Sequence, residues 1–117
     1  MTVEEVLRAA RALIDTPEKL ARGYYAKDAD GNRVDFESGA ATCFCTLGAL
    51  SRACGDSRHN DVYAEAADAI AIAAGCGPVV DGCLGRNADG LTITQLSDRS
   101  DHPTVMSWFD RALARAS

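Results

Sequence analysis

The run Thr42-Cys43-Phe44-Cys45-Thr46-Leu47-Gly48-Ala49-Leu50-Ser51-Arg52-Ala53-Cys54 is the one uninterrupted stretch rich in apolar side chains and thiols, and it lies near the middle of the chain. Its spacing predicts a buried central helix. Leu47 and Leu50 recur with Cys43 and Cys54 at helical three-and-four steps, Thr42 suits the cap, and Gly55 before Asp56 suits a left-handed stop. Only Ser51 and Arg52 suit water. A helix that is apolar on nearly every side has to be enclosed, so the expected fold is mainly α. We expect one helical domain over residues 1–117, a compact bundle of four or five helices with one small β-hairpin after the second helix.

The flanking segments fit that enclosure. Thr2-Val3-Glu4-Glu5 reads as a capping box. The helix it opens has Val3, Val6, Leu7, Ala10, Leu13 and Ile14 on one stripe and Glu4, Glu5, Arg8, Arg11 and Asp15 on the other. Thr16-Pro17 restarts the chain as a short second helix that ends before Gly23. Extended arms at Tyr24-Tyr25-Ala26 and Val34-Asp35-Phe36 around an Asp-Gly-Asn turn form the expected hairpin. A fainter echo of that turn is Asn87-Ala88-Asp89-Gly90. Asn60 caps a helix that runs to Ala74 with Val62, Tyr63, Ala66, Ala69, Ile70 and Ala73 inward, its alanines allowing close approach to the central helix. Residues 76–90 lack periodicity, and a connector of that length is either mobile or functional. Ile93 to Leu96 can make one helical turn. Asp101 and Pro103 open a last helix with Val105, Met106, Phe109, Ala112 and Leu113 inward.

Charge and cysteine usage narrow the function classes. A net charge of -5, with basic residues dispersed, disfavours binding a polyanion by charge, so no nucleic-acid partner is expected. The same balance suits docking on a basic partner surface. Five cysteines, an odd count, with three in the apolar run and no signal peptide at the start, indicate a reducing cytoplasmic setting. Cys76 and Cys83 are the outliers and are near enough in sequence to pair in air. No apolar run reaches the roughly 18 to 20 residues that a membrane span needs.

Site chemistry is sparse. Fixing Gly31 at the sixth position of a calcium loop puts Asp28 and Asp30 third and fifth and Glu37 twelfth. That register leaves Ala26 where the first carboxylate belongs, so turn formation explains these acids better. Cys43, Cys45, Cys54, His59 and His102 include zinc-ligand types without a knuckle spacing, and on one helix residues 43 and 45 point about 200 degrees apart. No metal or other cofactor is expected. A Cys-His nucleophile is the remaining catalytic reading, with Cys45 at the start of the central helix and His59 or His102 as base. Phosphate-cradling, nucleophile-elbow and dinucleotide motifs are absent.

The order Tyr25-Ala26-x-Asp28-x-x-Gly31, Cys45-x-x-Gly48-Ala49-Leu50, Leu96-x-Asp98 and Val105-x-x-x-Phe109-Asp110-x-Ala112 resembles a family of small uncharacterised bacterial and phage proteins, a domain of unknown function. Where that family shows a Trp-Asn-Asp type of triplet, this chain has Leu96-Ser97-Asp98. The resemblance implies a mostly helical fold and a cytoplasmic setting, and no mechanism. The function expected is therefore a non-catalytic binding or protein-interaction module, a phage-type accessory protein acting on a host protein or a homodimer. A small thiol-dependent enzyme using Cys45 is the alternative. The expected binding site joins Tyr25, Asp28 and Asp98 at the mouth of the helical core.

Overall fold

A computed structural model describes residues 2–55, 61–77 and 85–116. Among them are five α-helices: α1 (Val3–Leu13), α2 (Thr46–Cys54), α3 (Asp61–Ala73), α4 (Ile93–Arg99) and α5 (His102–Ala116). Two short strands, β1 (Ala26–Lys27) and β2 (Cys43–Phe44), form an antiparallel pair that precedes α2. The fold is thus the expected small-sheet helical bundle, and α2 is its centre. Leu47, Gly48, Ala49, Leu50 and Ser51 are all buried, and α1 and α3 pack against α2 while α5 packs against α1 and α3. No helix among the described residues is long and apolar enough to cross a membrane.

The capping box of α1 forms as the spacing requires: the Glu5 amide donates to Thr2 Oγ1 and the Thr2 amide donates to Glu5 Oε1, each at 3.1 Å. Val6, Leu7 and Ala10 then face the core. On α5 the buried stripe is wider than the periodic reading, because Trp108 joins Val105, Met106, Phe109 and Ala112. Helix α4 is longer than the single turn expected. Thr92 and Gln95 give it a second capping box, a Thr-x-x-Gln signature that a reading centred on Ile93 overlooks.

Three boundaries differ from expectation. Helix α2 starts at Thr46, capped by Cys45, and not at Cys43 after a Thr42 cap, because Cys43 and Phe44 are taken up by strand pairing with Lys27 and Ala26. The Cys45 sulfur accepts the Gly48 amide at 3.2 Å. The expected second helix is a 3-10 turn over Pro17–Lys19, since Leu20 leaves it extended to bridge Phe44. The expected hairpin keeps its turn and a Lys27–Arg33 bridge, but β1 finds its ladder partner further along the chain at residues 43–44. At its other end α2 stops where expected. Gly55, at φ 84, is left-handed and returns its amide to the Ser51 carbonyl. The Asn60 cap, Cys83 and His59 lie outside the described residues.

Candidate functional site

The segment Ala21–Tyr25 crosses the start of α2 and is tied down at nearly every residue. The Ala21 amide donates to the Phe44 carbonyl at 2.8 Å, Arg22 Nη2 donates to the Ser100 carbonyl at 2.6 Å, and the Gly23 amide donates to Asp98 Oδ1 at 2.9 Å. The Tyr25 carbonyl then accepts the Cys45 amide at 3.2 Å. This last bond brings the Tyr25 backbone against Gly48, so close that a Cβ there would overlap the Tyr25 carbonyl oxygen and lie 2.8 Å from its carbon. Glycine at position 48 is therefore required by a neighbour 23 positions away, although position 48 itself is helical.

The result is two adjacent tyrosines on a fixed backbone. Tyr24 is 39% exposed and Tyr25 is 53% exposed. The Tyr24 ring carries the Lys27 ammonium at 4.9 Å and the Arg33 guanidinium at 4.4 Å from its centroid, which holds the ring by cation-π attraction. Beside them is a cavity of about 70 Å³ lined by Gly23, Tyr24, Tyr25, Cys45, Thr94 and Asp98. It admits the end of a side chain and falls well short of the roughly 300 to 1,000 Å³ of small-molecule sites.

Of the residues singled out by sequence, Tyr25, Asp98 and Cys45 meet at this cavity. Asp28 does not line it. Its carboxylate instead closes its own turn, with Oδ1 accepting the Asp30 and Asn32 amides at 3.0 and 2.8 Å. His102 lies elsewhere, its Nε2 donating to the Ile14 carbonyl at 2.8 Å where α1 ends. Thr94 and Gly23 are the lining residues that sequence reasoning passed over. The Thr92 capping box, by fixing where α4 begins, is the signal that places Thr94 one turn before Asp98.

Cys45 is only 6% exposed. Burial pushes its pKa up and the Asp98 carboxylate adds to the rise, while the amides of Gly48 and Leu47 offset it in part. Removal from water thus outweighs the helix start, and the sulfur serves as a protonated cap. Among the described residues no histidine lines the cavity. What the arrangement offers chemically is a half-buried carboxylate and an exposed phenol beside a small recess, groups suited to holding a donor or cation presented by another molecule.

The same geometry explains the ordered motifs. Ala26 is buried and pairs with Phe44, Asp28 shapes the turn, Cys45 caps α2, and Gly48 admits the Tyr25 backbone. No curated protein and no solved structure matches this chain. The model of a family of unknown function, DUF6197, matches residues 1–115, nearly the whole sequence, and the chain belongs to that family.

Proposed function

We propose that this chain is a non-catalytic protein-interaction module whose contact surface is Tyr24 and Tyr25 with Asp98 beside them. The observation that carries the reading is the exposed tyrosine pair on a backbone held at both ends, by Gly23 to Asp98 and by Tyr25 to Cys45. Rigid, partly exposed aromatic side chains lose little conformational entropy on binding and supply much of the energy of protein interfaces. Asp98 gives the partner's cationic or amide group a place to enter, and the net charge of -5 favours a partner with a basic surface. Asp28 takes part as the residue that shapes the loop carrying Lys27 and Arg33 to the Tyr24 ring.

Placing a photo-crosslinking phenylalanine analogue at position 25 in the native protein tests the reading. Illumination in an extract of the source cells should yield one dominant protein adduct, either a second copy of this chain or another polypeptide, and Asp98→Asn should reduce it. Adducts spread evenly over many proteins, or a yield indifferent to position 98, would overturn the surface. The thiol-enzyme alternative has its own readout. Alkylation across pH followed by peptide mapping should leave Cys45 unreacted below pH ~8.5, the ordinary thiol pKa. Rapid labelling of Cys45 well below that would favour the enzyme.

A further inference from the structure

A second surface lies between the start of α1, the outer side of α3 and the end of α5, where a groove of about 600 Å³ opens. Val3, Ala69 and Ile72 contribute apolar lining, and Ile72 is 38% exposed. Glu65 and Asp68 contribute carboxylates, as does Glu4, which is paired with Arg8 at 2.7 Å, and Arg115 is the guanidinium in the lining. We infer that this groove seats a basic amphipathic helical segment of a partner protein.

The argument starts on α3, whose sequence Asp61–Ala73 contains three acidic residues and no basic one. Asp61 is explained by its place in the first turn, where the helix dipole favours an acid. Glu65 and Asp68 lie beyond that first turn, where the dipole gives an acid no such advantage. They fall on the same stripe as Asp61, at four- and three-residue spacing, where like charges repel. One turn further along the same stripe is Ile72, an exposed large apolar side chain. A stripe of acids that continues into an exposed isoleucine is complementary to a helix with Lys or Arg beside an apolar face, the helix-in-groove mode of recognition.

The other occupants fit less well. A second copy related by a twofold axis would set this acidic stripe against itself, since such an interface pairs one patch with the same patch. A metal ion has no use for a recess of this volume with Ile72 in it, and no group of three or more metal-ligating side chains occurs among the described residues. An anionic ligand would meet three carboxylates.

The test uses the full chain and a fluorescent synthetic peptide of about 18 residues, long enough to become helical, with Leu on one face and Lys on the others. Binding is read by anisotropy. Saturable binding that weakens with added salt is expected, together with about tenfold or greater loss in both Glu65→Lys and Ile72→Glu. The same peptide with Glu in place of Lys, and a shuffled peptide without an apolar face, should not bind. Replacing both Tyr24 and Tyr25 by Ser should leave peptide affinity unchanged, so this groove and the tyrosine surface fail or stand separately. Absence of saturable binding, equal affinity for the shuffled peptide, or affinity unchanged in both groove variants would overturn the inference. Self-association abolished by Ile72→Glu would assign the groove to a second copy and would also overturn it. Circular dichroism and Trp108 fluorescence confirm that each variant is folded.

Discussion

A methyl group at position 48 has no room, because the Tyr25 backbone passes directly over the first turn of α2. Alanine ordinarily stabilises a helix interior by about 1 kcal/mol over glycine. Here the obstacle is main chain and cannot rotate away, so Gly48→Ala should lower stability by about 1–3 kcal/mol, as overpacking does. A variant as stable as the parent in denaturant titration would mean that the tyrosine segment can withdraw from α2 at no cost. Leu50, two residues further along α2 and fully buried, fails in the opposite sense. Its replacement by Ala leaves a cavity and should cost about 2–5 kcal/mol, and a measured loss under about 1 kcal/mol would contradict the central position of α2. Both residues stand in the apolar run that marks this helix in the sequence, yet only Leu50 has a reason that the run displays. The reason for Gly48 is a contact with Tyr25, and spacing along a chain says nothing of which distant backbone will cross it.

At the scale of elements, the periodic segments and the presence of a small sheet after the second helix were legible, and the ladder partner of β1 was not. Helices α1, α3 and α5 follow their apolar stripes because each lays one face on a common core. Residues 42–45 carry the same apolar signal as the helix that follows, and it is the hydrogen bonds offered by Ala26 and Lys27 that make two of them a strand. The two Ala-Asp-Gly turns show how much a short motif can hold. Asp28 and Asn87 each place Oδ1 on the amides two and four residues ahead, and each turn is flanked by a bridge, Lys27–Arg33 and Arg86–Thr92. The candidate site was legible in part for the same reason. Tyr25, Cys45 and Asp98 are brought together by tertiary contacts, whereas Asp28 answers to a local rule that acts within its own turn. Between elements, Thr46 Oγ1 and Ser97 Oγ meet at 2.7 Å with both residues buried, joining the start of α2 to α4. Ser97→Ala should cost about 1–3 kcal/mol by leaving the Thr46 hydroxyl without its partner. Adding Thr46→Val should cost less than its effect alone, because the orphaned group is gone. Strict additivity in the double-mutant cycle would show that the two hydroxyls do not depend on each other.

Across the whole molecule, the tyrosine segment, the small sheet and the bundle share one core: Leu20, Ala26, Phe44 and Cys45 pack in the same cluster as Leu7, Leu50, Ile70 and Phe109. A chain of this size with one core should unfold as a unit. The single tryptophan, Trp108, is buried on α5 and reports on that unit. The same burial gives stability a pH dependence on the alkaline side. Loss of water raises the pKa of Cys45, Cys54 and Cys76 and of the Tyr63 phenol, each by burial before any other cause. A raised folded pKa means that the unfolded chain releases its proton first. Between the unfolded and folded values the unfolded state therefore binds fewer protons, and stability falls as pH rises. For the thiols the stabilisation is complete below about pH 8.5 and declines above it. Denaturant midpoints read from Trp108 fluorescence and from circular dichroism should coincide, hold steady from neutral pH to that point, and then drop together. Cys45→Ala removes the group in which burial and the Asp98 carboxylate act in the same direction. The variant should be less stable at neutral pH and should show a shallower alkaline decline than the parent. An equally steep decline would mean that Cys45 titrates alike in the folded and unfolded chains, and that its thiol is open to water in solution.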